Sequence, residues 1–164
     1  MPNTRPPIDH IDLTRRRYDA LGYPSYAWVH NPTPPAWQPL PAPLARCRLA
    51  LIGSGGIYAR GQRAFHYKDD TSFRLIRSDT AIEDLRATHF AYDLTDARRD
   101  PNVVFPLGTL RELVRRKALG ALTEHAFAFM GGIYSARKVR DWLAPALAEH
   151  LRRERADAAL LVPV

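Results

Sequence analysis

The chain has 164 residues, 46 % hydrophobic and 25 % charged, which is the length and composition of one globular domain and excludes a wholly disordered chain. No apolar run reaches the ~18 residues of a spanning helix, and the start MPNTRPPIDH lacks the apolar stretch of a secretory leader, so a cytoplasmic protein is expected. The net charge of +7 invites a nucleic-acid reading, but Arg15–Arg17, Arg115–Lys117 and Arg152–Arg155 sit in helical patterns beside acidic residues. No aromatics interleave them as a stacking platform would require, so solvated helix faces are the expectation and nucleic acid is not.

In chain order, residues 1–7 read as an unanchored tail. Ile8 to about Leu21 has helical apolar spacing that Gly22 ends. Residues 23–44 hold seven of the 14 prolines and can be neither helix nor central strand. Tyr23, Tyr26, Trp28 and Trp37 suit an extended strap with aromatic anchors, so residues 8–44 are read as helix plus strap. Residues 45–164 form the main α/β domain. Its Arg48–Ile52 is an apolar strand leading into Gly53-Ser54-Gly55-Gly56, and Phe73–Ile76 is a second strand. Asp79–Leu85 reads as a helix start, His89–Leu94 as a strand or irregular loop, and Thr109–Lys117 as a helix that Gly120 terminates. Phe127–Met130 is another short apolar run closing on Gly131-Gly132. Ser135 to about Glu154 is a helix despite Pro145, and Ala158–Val162 is a last apolar strand. Apolar strands interspersed with helices predict an α/β fold with a parallel-type sheet flanked by helices, Rossmann- or flavodoxin-like, and ligands beyond the strands' carboxyl ends. The last strand is either an edge or the approach to a functional loop.

Three features bear on chemistry. Ser54-Gly55-Gly56 follows a strand, where backbone N–H groups can cradle a phosphate or carboxylate. It has neither the Lys-Ser/Thr of a phosphate loop nor a complete G-x-G-x-x-G, and a tight turn needing positive φ accounts for the glycines without a ligand. The densest polar block, His89 to Asn102, contains Tyr92, Asp93, Asp96, Asp100 and Asn102. It offers a general acid/base with carboxylates to orient it, or simply Asp and Asn residues that cap turns and the next helix. One His among scattered carboxylates makes no metal site. Cys47 precedes a strand and suits an inert small hydrophobe, while His66 and His125 suit surface or capping roles.

Taken together, Ser54-Gly55-Gly56-Ile57 with Gly61, His89-x-x-Tyr92-Asp93, Asp100-Pro101-Asn102 to Phe105-Pro106, Leu110-Arg111-Glu112-Leu113 and Ala156 to Leu161 resemble one family. It is that of the selenoprotein B-type subunits of the glycine/sarcosine/betaine and D-proline reductases, with Tyr23–Trp37 and Phe105-Pro106 closer to the D-proline branch. The resemblance implies reductive C–N cleavage of a small amino-acid-like substrate by a selenol or thiol, with a pyruvoyl-containing partner subunit activating the amine. His89 and Asp93 would manage protons, and Ser54, Gly55, Gly56, Tyr92, Asp100 and Asn102 would bind substrate. In the family the strand matching Leu160–Val164 leads into a selenocysteine or cysteine motif. The expectation is therefore a chain truncated at a selenocysteine just after Val164, holding no cofactor and inactive alone. Ala91 departs from related sequences, which often carry a second His there. The rival readings are a non-catalytic small-molecule-binding α/β module and, further off, a basic nucleic-acid-associated domain.

Overall fold

The computed structural model describes residues 9–25 and 29–164. The expected tail at residues 1–7, Ile8, and the strap aromatics Tyr26 and Trp28 lie outside the described residues. The chain divides into two compact units, Met1–Ala36 and Trp37–Val164.

In the first unit, α1 (His10–Ala20) starts where the Asp9 carboxylate accepts the Asp12 N–H at 3.0 Å, and ends at Leu21 before Gly22. None of its residues is buried, and Asp12 pairs with Arg15 and Arg16 at one-turn spacing. Residues 29–43 form no helix or strand, as their prolines require. Tyr23 is exposed with its ring edge-on to Tyr18, and Trp37, expected as an anchor, is 84 % exposed at the start of the second unit.

The second unit is an α/β body with a mostly parallel sheet, as the apolar strands predict. Its elements are β1 (Arg48–Gly53), β2 (Ile57–Ala59), β3 (Phe73–Arg77), β4 (Leu85–Ala87), α2 (Thr95–Arg99), α3 (Leu107–Arg115), β5 (Ala121–Leu122), β6 (His125–Phe129), α4 (Ala136–Lys138), α5 (Ala144–Arg153) and β7 (Ala158–Val162). β1 is central. Leu49 pairs with both Leu122 and Ala158, and Ile52 with both Phe127 and Leu161, so β5 and β6 line one side of β1 and β7 the other, all parallel. Alternate residues of β1 face opposite layers. Leu49 and Leu51 join Leu107, Leu110 and Phe105 in one core, and Ala50 and Ile52 join Phe127, Leu143 and Leu147 in the other. Helices thus cover both faces, and an apolar strand without polar alternation is the result.

One strand runs against the rest, β3 lying antiparallel to β6 from Phe73↔Phe129 to Arg77↔His125. One expectation is corrected. Asp79–Leu85 starts no α-helix: Ile82–Asp84 is a single 3₁₀ turn, and Leu85–Ala87 pairs antiparallel with β2. Of the acidic pair that suggested a first helical turn, Asp84 pairs instead with Arg60 at 3.1 Å. The long helix before β7 does form, capped by the Ser135 hydroxyl, which accepts from Lys138 N–H. It passes Pro145 by widening into a π turn over Val139–Leu143, which absorbs the missing N–H.

Candidate functional site at the carboxyl edge of the sheet

β1, β6 and β7 all run out at one edge of the sheet, where open α/β sheets bind ligands. Three loops meet there: Ser54-Gly55-Gly56 after β1, His89–Tyr92 after β4, and Met130-Gly131-Gly132 after β6. Gly131 N–H donates to the Ser54 carbonyl at 2.8 Å, and Gly56 N–H to the Phe129 carbonyl at 3.0 Å. Gly56 has φ +69, and a Cβ there would run into the Thr88 carbonyl oxygen, so only glycine lets the first two loops approach.

His89 is 5 % exposed. Its Nδ1 accepts the Ala91 N–H at 3.0 Å, which leaves that nitrogen without a proton and puts the ring hydrogen on Nε2. Burial pushes the imidazole pKa below its ordinary value, so the ring is neutral at neutral pH. Nε2 is itself buried and has no hydrogen-bond partner in the structure. It looks onto the bare Cα of Gly131, where a Cβ would lie 3.4 Å from Nε2 and 3.3 Å from the Ser54 carbonyl oxygen. Buried polar atoms are nearly always paired, and leaving a donor unsatisfied costs about 1–3 kcal/mol. The Ser54 hydroxyl oxygen accepts the Val164 N–H at 2.9 Å, which leaves its own O–H to donate. The end of β7 therefore reaches the same corner.

Tyr92 packs its ring 4.8 Å from that of His89 and donates its hydroxyl to the Gly55 carbonyl at 2.7 Å. Burial pushes its phenol pKa up, so it stays a donor. His89, Tyr92, Ser54, Gly55 and Gly56 are thus brought together at one corner. Two amides of the glycine turn are engaged, however. The Ser54 and Gly56 amides donate to Val162 and Phe129 in the sheet, which leaves neither to cradle a carboxylate.

Other expected site residues are not brought to His89. The exposed Asp93 carboxylate accepts from Thr95 N–H at 2.9 Å, and hydrogen bonds from Thr95 hold its pKa below the usual value. Asp100 accepts from the Asn102 backbone and side chain, and Asn102 Oδ1 in turn accepts Gly108 N–H at 2.8 Å, capping α3 from six residues upstream. Here the capping alternative holds. Sequence reasoning missed Phe90, which stacks on His89 with ring centroids 5.4 Å apart and planes 12° apart, and Gly131. A second glycine pair closing an apolar strand was the available signal for the latter.

Cys47 is buried, its thiol donating to the Ala42 carbonyl at 3.1 Å. His125 pairs with Glu154 at 2.8 Å, at the far end of β6 from this site. A recess of about 830 Å³ lies around Arg63, His66 and Arg74, with Arg74 donating to the carbonyls of Arg63, Ala64 and Phe73. Among the described residues no cluster of His, Cys, Asp and Glu could hold a metal, and no helix is long and apolar enough to cross a membrane.

Residues 34–164 match the family model for glycine/sarcosine/betaine reductase selenoprotein B. The D-proline reductase subunit gamma of Acetoanaerobium sticklandii is 31 % identical over 140 residues, 85 % of this chain and 58 % of that protein. A glycine reductase complex component B subunit gamma from Symbiobacterium thermophilum is 29 % identical over 124 residues, 72 % of this chain and 28 % of that protein. The chain therefore spans little more than half the length of the first relative and under a third of the second. No solved structure matches it. With a family model covering most of its length, the chain belongs to the glycine/sarcosine/betaine reductase selenoprotein B family.

Proposed function

We propose that the chain is the substrate-handling part of an amino-acid reductase subunit, and that His89 binds the carboxylate of a small amino-acid-like substrate. The unpaired, buried Nε2–H is the observation that supports this reading. A carboxylate oxygen would give the donor its missing partner, and a charged acceptor in a desolvated recess makes a strong hydrogen bond. Ser54 flanks the same recess, and its hydroxyl hydrogen supplies a second donor.

This differs from the proton-handling role that the resemblance implies. A neutral imidazole whose Nδ1 is engaged has no free lone pair to accept a proton, and its Nε2–H is far too weak an acid to release one. His89 therefore orients the substrate, and Tyr92 holds both His89 and the Gly55 carbonyl in place. Asp93, Asp100 and Asn102 keep their loops in shape.

The family's selenol or thiol, which these 164 residues do not supply at this edge, provides the nucleophile for reductive C–N cleavage. Its natural place is beside Ser54, where the carboxyl end of β7 meets His89. A pyruvoyl-containing partner subunit would activate the substrate amine, which makes the working enzyme a heteromeric assembly.

The test is turnover of the assembled reductase with His89→Ala and Ser54→Ala. Losing a hydrogen bond to a charged group costs about 1.5–3 kcal/mol, so His89→Ala is expected to lower kcat/KM on the order of 10- to 100-fold. His89→Gln, which keeps an N–H donor, is expected to lose less. Unchanged turnover in His89→Ala would overturn the assignment. Amino-acid binding by the chain with no effect of either substitution on turnover would favour a non-catalytic binding module.

A further inference from the structure

The donor at the centre of this site is closed off, and the closure has identifiable parts. Around the imidazole, Ala91 N–H is bonded to Nδ1, Tyr92 is tied to Gly55, and Gly56 is held between the Phe129 carbonyl and the Thr88 N–H. None of these can move without breaking sheet or loop hydrogen bonds. Two other neighbours are held by less, Phe90 by ring contacts and the Gly131-Gly132 turn by the Gly131 N–H on the Ser54 carbonyl. Phe90 is 43 % exposed and only stacks on the ring, without a directional bond to fix it. The Gly131-Gly132 turn covers Nε2, and Phe90 lies directly on it: a Cβ at Gly132, φ +73, would run into the Phe90 ring.

Both movable parts are held by one loop. Tyr67 meets Phe90 edge-on, with ring centroids 6.4 Å apart. Two residues later, Asp69 accepts the Tyr134 N–H at 2.8 Å and pairs with Lys138 at 3.7 Å, which fastens the segment that follows Gly132. Asp69 does this from φ +47, the left-handed region that non-glycine residues enter infrequently. A strained residue whose carboxylate makes two contacts to a neighbouring loop is a latch in physical terms.

We infer that Phe90 and the Gly131-Gly132 turn form a gate over His89, latched by Tyr67 and Asp69, and that a carboxylate reaches Nε2 in the ring plane once displacement of the Phe90 ring lets the Gly131-Gly132 turn draw back. The inference rests on the reading of His89 as the carboxylate contact. The unpaired Nε2–H supplies the drive for opening, because the donor gains a partner only when the gate yields to a ligand. Water exclusion on closure follows from the same geometry, since Phe90 covers the ring when it returns.

Deuterium exchange at the imidazole C2–H, read histidine by histidine by mass spectrometry on the full chain, reports this closure without any need for turnover. His89 is expected to exchange slowly in the wild type, and several-fold faster in Phe90→Ala. Phe90→Leu, which keeps apolar cover, should give a smaller acceleration. Asp69→Gly removes the latch while tolerating the positive φ, and should also accelerate His89. His125, at the other end of β6, is the internal reference and should not change. Should Phe90→Ala also accelerate His125, the fold itself has loosened, and Phe90→Leu and Asp69→Gly then decide. Wild-type exchange at His89 in folded Phe90→Leu and Asp69→Gly overturns the gate. Accelerated exchange in these variants, with His89 indifferent to added glycine or D-proline in all of them, keeps the gate and overturns the carboxylate reading instead.

Discussion

Burial at His89 makes its titration a folding observable. The folded-state pKa lies below the ordinary histidine value, so the unfolded chain takes up a proton first as the pH falls. Stability is therefore full above about pH 6.5 and declines as the pH drops from there toward the folded-state pKa. Urea unfolding between pH 5 and 8 should show that slope, and His89→Gln should flatten it; an equal slope in the variant would mean that the ring is not buried neutral. At Tyr92 the expectation is local. Removing the hydroxyl in Tyr92→Phe leaves the Gly55 carbonyl without its 2.7 Å donor and should cost about 0.5–1.5 kcal/mol in unfolding free energy. The sequence offered His89, Tyr92 and the glycine turn as candidates because polar residues and glycines at strand ends are informative in themselves. It misplaced Asp93, since adjacency in sequence says nothing of which way a carboxylate turns once Thr95 offers it an N–H. Phe90 escaped notice because an exposed aromatic in a loop carries no pattern, and only the ring-on-ring contact reveals its position.

Among the elements, those with a long or strongly periodic apolar signal were legible: β1, β6, β7, α3 and the helix ending in α5 fall where their spacing places them. The three-residue strands β2 and β4 were not, because so short a run leaves no period to read, and their antiparallel pairing is a tertiary choice. The capping chain Asp100–Asn102–Gly108 gives an element-scale test. Asn102→Ala deprives α3 of its N-terminal acceptor and should destabilise the protein by about 1 kcal/mol, without altering the exchange of His89. A variant of unchanged stability but impaired substrate binding would return Asn102 to the site. The basic runs fit the same picture of helices looking after their own charges. Glu112 is drawn down to about 2 by its hydrogen bonds to Arg115 and Arg116, and Glu149 pairs with Arg153 one turn away. These arginines serve helix faces.

At the scale of the whole molecule, the mostly parallel sheet brings the carboxyl ends of β1, β6 and β7 to one edge, where the proposed site lies. Leu161, paired in register with the buried Ile52, is 67 % exposed on a strand of core composition. Cys47 is no candidate nucleophile, buried as it is with its thiol engaged. Alkylation with iodoacetamide after reduction should therefore inactivate the native assembly while leaving Cys47 unmodified. An active assembly indifferent to alkylation would contradict selenol or thiol chemistry.

The most direct test of the central claim is nitrogen-15 NMR of the His89 ring in the folded chain, alone and with glycine, sarcosine, betaine and D-proline. The account predicts a bare Nδ1 and a protonated Nε2, with the Nε2–H resonance moving downfield when at least one of these carboxylates is added. A hydrogen on Nδ1, or an Nε2–H signal that none of the four shifts, would contradict it.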